Sequence, residues 1–63
     1  MDRHAAIIKA IKNMQAGEEK TICRGKYVVM VEAGDRVKIH DLINSETLIY
    51  THGGRFISVH SGF

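Results

Sequence analysis

Proline is absent from this chain of 63 residues, cysteine occurs once, and aromatic side chains make up only 6%. With one thiol, Cys23, no disulfide can form within the chain, and a reducing compartment fits better than secretion. No CxxC or paired Cys/His spacing marks a structural zinc site. No long hydrophobic run is present either: the longest, Tyr27–Val31, is far too short to cross a bilayer. The beginning, "MDRHAAIIKAIKN", does not read as a signal peptide, because Lys9 and Lys12 interrupt its apolar centre. Charge of one sign is scarce too. Nine Lys/Arg stand against seven Asp/Glu, a net +2, so only clustering of cations can argue for a polyanionic partner. These absences leave a cytoplasmic domain with no membrane partner as the expectation.

The composition itself is that of a folded domain, with 44% hydrophobic residues and a mean hydropathy of −0.12. A domain of this length buries only about 60% of the surface its unfolded chain exposes. Domains this small are usually reinforced by disulfides, a metal or a second subunit. With the first two disfavoured, homo-oligomerisation is expected by elimination.

The whole chain, 1–63, reads as one α+β domain: an N-terminal helix followed by a four- to five-stranded antiparallel meander. Asp2 is placed to cap a helix over about 2–16, in which Ile7, Ile8, Ile11 and Met14 recur at helical spacing and Gly17 is the stop. Beyond Gly17 the sequence turns rich in Val, Ile, Thr and Tyr, punctuated by "RGK", "AGD", "INSE" and "HGGR". Strands are expected near 19–24, 26–32, 36–42, 47–52 and 55–60, with neighbours in sequence pairing. A three-residue turn at 33–35 and two-residue turns at Asn44-Ser45 and Gly53-Gly54 agree on the parity of side chains. Val31 then faces Val37, Ile39 faces Tyr50, Tyr50 faces Ile57, Leu48 faces Val59, and His52 faces Arg55. One face collects Tyr27, Val29, Val31, Val37, Ile39, Leu48, Tyr50, Ile57 and Val59, which is the expected core.

The opposite face mixes Val28, Met30, Ile49 and Phe56 with cations, hydroxyls and imidazoles, where a solvated face is nearly all polar. One helix covers one face. The second apolar set therefore meets a barrel closure, another subunit or a ligand, and Val28, Met30, Ile49 and Phe56 are its interface candidates. Along this face Arg36, Lys38 and His40 project from one strand, with Lys26 on its neighbour. Such a row suits phosphates, although Glu32 and Asp35 offset part of it. Tyr50, His52 and Arg55 complete the ligand-binding candidates, with Tyr50 or Phe56 available for base stacking.

Candidate chemistry is thin. The four histidines, His4, His40, His52 and His60, lack the close spacing of metal sites. Cys23 reads as a small buried hydrophobe within a strand, Asp41 as a turn or capping residue, and no paired carboxylates stand out. No catalytic residue, metal or cofactor is expected, and the chain does not read as an enzyme.

The order of elements, a short helix then five strands, resembles that of Sm-like barrels, and "LIYTHGGRFISVHS" over 48–61 is similar to the C-terminal strand pair of their bacterial RNA-chaperone branch, Hfq. Tyr50 and His52 match that family's Tyr-Lys-His signature, with Thr51 in place of the lysine; the family's Gly-rich and Phe-Asp strand pattern is absent upstream. The resemblance implies a sheet curled into a small SH3/Sm-like barrel, a ring of subunits and RNA contact at His52. Three functions fit the residues. One is a homo-oligomeric module for RNA, DNA or a nucleotide-like anion. Another is a protein-binding inhibitor or adaptor of the type phages and mobile elements encode, and the third is a structural ring subunit.

Overall fold

The computed structural model describes residues 3–63; Asp2, the expected helix cap, lies outside the described residues. Helix α1 spans Arg3–Lys12, and five strands follow: β1 (Glu19–Ile22), β2 (Tyr27–Glu32), β3 (Arg36–Asp41), β4 (Glu46–Thr51) and β5 (Phe56–Ser61). They form one antiparallel sheet in the order β1-β2-β3-β4-β5. This is the α+β meander that the periodicity calls for. The sheet is open: among the described residues no pairing joins β1 to β5, and barrel closure is not seen.

The helix ends sooner than the apolar stripe. The Asn13 and Met14 N–H groups bond three residues back, to Ala10 and Ile11, which tightens the last turn. The Asn13 carboxamide also donates to the Lys9 carbonyl at 3.1 Å. Asparagine competes in this way with the helix's own bonds. Ile7, Ile11 and Met14 nonetheless reach the core together, with Ile7 and Ile11 wholly buried.

Those side chains lie against Val29, Val31, Val37, Ile39, Leu48 and Tyr50. All six stand on one face because β2, β3 and β4 pair with a common parity. Between β2 and β3 the register is the expected one, with Glu32 opposite Arg36 and Val31 opposite Val37. Between β3 and β4 it is displaced by two residues: Ile39 meets Leu48, and Val37 meets Tyr50. The cause is Asp41. Its Oδ1 accepts the N–H groups of Ile43 and Asn44 at 3.0 Å, and this organises a four-residue turn, Leu42 to Ser45, where a two-residue one was expected. A slip of two preserves the faces, since side chains alternate with period two.

The β4–β5 turn also differs. Thr51 pairs with Arg55 around three residues, His52 to Gly54. The Thr51 carbonyl accepts the Gly54 N–H at 3.0 Å, and its hydroxyl accepts the Arg55 N–H at 3.1 Å. Only Gly54 takes a left-handed φ, +98°, whereas a two-residue turn of the expected kind needs it at both glycines. A bulge then follows. Phe56, not Ile57, stands opposite Tyr50, and Leu48 still meets Val59. Ile57 and Val59, expected in the core, are 41% and 45% exposed because the helix does not cover them.

Cys23 is neither in a strand nor buried. It is exposed at φ +52°, and with Arg24 and Gly25 it forms a left-handed run that turns β1 into β2.

Candidate binding face of the sheet

The strand register builds the face opposite α1 row by row. The first row reads Thr21, Val28, His40, Thr47, His60; the second reads Glu19, Met30, Lys38, Ile49, Ser58. A third runs from Glu32 through Arg36 to Thr51 and ends on Arg55, the hairpin partner of Thr51. Rows are about 6.8 Å apart along a strand, and neighbours within a row about 5 Å. Arg36, Lys38, His40 and Arg55 are thereby brought to one surface. Lys26 flanks it from the β1–β2 turn, where its carbonyl accepts the Leu42 N–H at 2.9 Å. Val28, Met30 and Ile49 are half-buried among these groups.

The cations are only partly offset. Lys38 Nζ lies 3.8 Å from Glu32 Oε2, with both side chains about half exposed (47% and 48%). Solvent screens such a pair and it holds neither partner firmly. The register puts Thr47 between His40 and His60. His60 Nε2 lies 3.0 Å from the Ser58 hydroxyl.

Three candidates stand elsewhere. Tyr50 has no exposed surface. Its hydroxyl is hydrogen-bonded to His4 Nδ1, and its ring meets Phe56 edge-on at 5.5 Å. Phe56 also contacts the His4 ring at 5.5 Å, so the bulge has carried it to the helix side. His52 is held at the helix end: its Nε2–H donates to the Met14 carbonyl at 2.7 Å, and its backbone N–H donates to Asp35 Oδ1. Its imidazole acts as a C-terminal cap.

An aromatic ring does reach the outer face, but it is Phe63. Thr47 Oγ1 donates to the Gly62 carbonyl at 2.7 Å, and the Gly62 N–H donates to the Ser45 carbonyl at 2.7 Å. These bonds fold the last residues over the sheet, and the Phe63 ring lies 4.9 Å from that of His40 while remaining 68% exposed. Nothing in the local sequence signals this placement, which depends on a threonine fifteen residues earlier.

On the helix side the charged cluster is structural. Arg3 bonds the fully buried Asp41 at 2.7 Å and Glu46 at 3.1 Å. The Glu46 contact, ahead of Asp41, raises Arg3 above its usual value against the opposing effect of burial. Burial alone would push the Asp41 carboxyl up. The Asn44 N–H and carboxamide, Arg3 and the Ile43 N–H outweigh it and hold Asp41 below its ordinary 3.8. A carboxylate accepting this many bonds fixes a loop.

Among the described residues no group of three or more His, Cys, Asp or Glu side chains is arranged to hold a metal, and no helix is long and apolar enough to cross a membrane. Comparison with protein-family models, curated proteins and solved structures finds no match to this chain.

Proposed function

We propose that this protein is a non-enzymatic binding module of the cytoplasm whose outer sheet face holds single-stranded RNA or DNA. The observation that carries this reading is the meeting of Arg36, Lys38 and Arg55 with an exposed aromatic ring, Phe63 beside His40, on the one face that α1 leaves uncovered. Single-stranded nucleic acids are bound by that pairing of features, cations along the backbone and a ring on which bases stack. Thr51 and Ser58 add hydroxyls between the cations, and Lys26 extends the positive edge.

Fluorescence anisotropy with labelled single-stranded oligonucleotides tests the reading. If about three phosphates are neutralised, log K falls with log salt at a slope near −2, so binding weakens roughly 20-fold between about 50 and 200 mM salt. Arg36→Glu with Lys38→Glu abolishes it. An affinity untouched by that double substitution overturns the reading.

A second reading, a protein-binding inhibitor or adaptor, is favoured by one observation: Val28, Met30 and Ile49 form a half-buried apolar strip that, among the described residues, no helix or further strand covers. Such an interface tolerates salt, and Met30→Asp or Ile49→Asp breaks it while the double charge reversal does not.

A further inference from the structure

β1 and β5 each have one unpaired edge. β1 is protected: it has four residues, two of them Glu19 and Lys20, and short charged edges resist pairing. β5 has six residues and contains no Lys, Arg, Asp, Glu or Pro, while each of the other four strands carries at least one acidic or basic side chain. The Gly62 N–H bond to Ser45 sets the phase of the β4–β5 ladder. Bonds alternate along an antiparallel strand, so Gly62, His60 and Ser58 point theirs toward β4. The N–H and C=O groups of Ser61 and Val59 therefore point into the open edge. On the helix side of this edge Phe56, Ile57 and Val59 are 44%, 41% and 45% exposed. They continue the core toward the open edge, through the contacts of Phe56 with Tyr50 and with His4 of α1.

We propose that a second copy of this chain occupies this edge, pairing β5 with β5 in antiparallel fashion about a two-fold axis normal to the sheet. An outward row of donors and acceptors calls for a strand, not merely an apolar surface, and an edge without charge calls for an uncharged strand. β5 itself meets both requirements. In an antiparallel pair, opposed residues share a face. The register that sets Ser58 opposite its own copy places Ile57 against the partner's Val59, and Val59 against the partner's Ile57. No like charges meet at the axis. Both helices lie on the same side, and the apolar side chains of the two β5 strands fill the trough between them. The symmetry closes, and the only free edges left are the two charged β1 strands. The outer faces join as well: the two β3 strands lie five strand steps apart, about 24 Å, so two cationic rows share one surface. The pairing does not depend on what that surface binds.

Native mass spectrometry and sedimentation of the full chain at about 100 µM test the proposal. The expected result is a dimer at twice the 7.1 kDa chain mass. Val59→Lys weakens association by at least about tenfold with an unchanged circular dichroism spectrum, whereas Lys20→Glu on the opposite edge leaves the mass unchanged. Hydrogen exchange provides the readout should Val59→Lys fail to fold: in the wild type the Val59 amide is protected at high concentration and loses protection on dilution. A wild type that stays monomeric overturns the proposal, as does a dimer in which that amide exchanges freely. So does a chain whose β5 pairs only with a different protein. Loss of nucleic-acid binding with the dimer intact bears on the binding face alone.

Discussion

Val29, Val37, Ile39, Leu48 and Tyr50 are wholly shut off from solvent on the helix side of the sheet, while Val28, Met30 and Ile49, on the same strands, stay half-exposed among Arg36, Lys38 and His40. The two sets alternate along β2 and β4 and are close in kind, while on β3 the outward positions are Arg36, Lys38 and His40. They differ in what lies above them. Ile7, Ile11 and Met14 of α1 complete the first set into a core, and the turns around that face are tied down by Asp41, Arg3 and His52. On the second face, among the described residues, the Gly62–Phe63 segment lies beside His40 and no helix packs there. Stability thus resides on one face, and the other keeps apolar and cationic groups that the fold does not use.

The largest test of this contrast sets neighbouring residues of β4 against each other. Leu48→Ala costs about 2–5 kcal/mol, against a total of roughly 3–9 kcal/mol for a domain of this length. Ile49→Ala, on the outer face, costs about 1 kcal/mol or less. Urea unfolding measures both, and equal costs would erase the distinction. Next comes Gly54→Ala. A left-handed φ costs an ordinary residue about 1–2 kcal/mol, and a Cβ there meets Ile8 Cγ2 at 3.2 Å. His52→Ala leaves the Met14 carbonyl without its donor and costs about 0.5–1.5 kcal/mol. Oligonucleotide affinity should not change with it, since the ring is engaged at the helix end. An affinity loss with unchanged stability would move His52 back to the binding face.

The smallest effect is in pH. Because the fold lowers the Asp41 pKa, its contribution is complete above the unfolded value of 3.8 and is lost as pH falls through that value toward the lower folded one. Urea midpoints recorded from about pH 5 to pH 2 should fall less steeply for Asp41→Asn than for the wild type. Parallel curves would show that the carboxylate is not what the β3–β4 turn depends on.

Side-chain parity was legible in the sequence, and with it the element order and most of the core. Period-two alternation survives errors of turn length: the β3–β4 turn is two residues longer than the Asn44-Ser45 reading allowed, yet Ile39, Leu48 and Tyr50 share the expected face. Asp41 as a turn residue was legible as well. What escaped the sequence depends on contacts between distant residues. The Thr51 hydroxyl and the single left-handed glycine decide the hairpin at 52–54, and the bulge after it moves Phe56 across the sheet. His52 is claimed by a carbonyl 38 residues earlier, and Phe63 is placed by Thr47. The row of Arg36, Lys38 and His40 could be read from alternation alone. The ring that joins them could not.

One titration tests the outer face as the binding surface most directly. Anisotropy of a labelled single-stranded oligonucleotide is followed with the wild type, with Arg36→Glu plus Lys38→Glu, and with Phe63→Ala, at low and at moderate salt. The expected result is salt-sensitive binding that the double reversal abolishes and that Phe63→Ala weakens by about 1–3 kcal/mol, the contribution of one stacked base. Binding that is absent from the wild type, or equal in all three proteins, would contradict it.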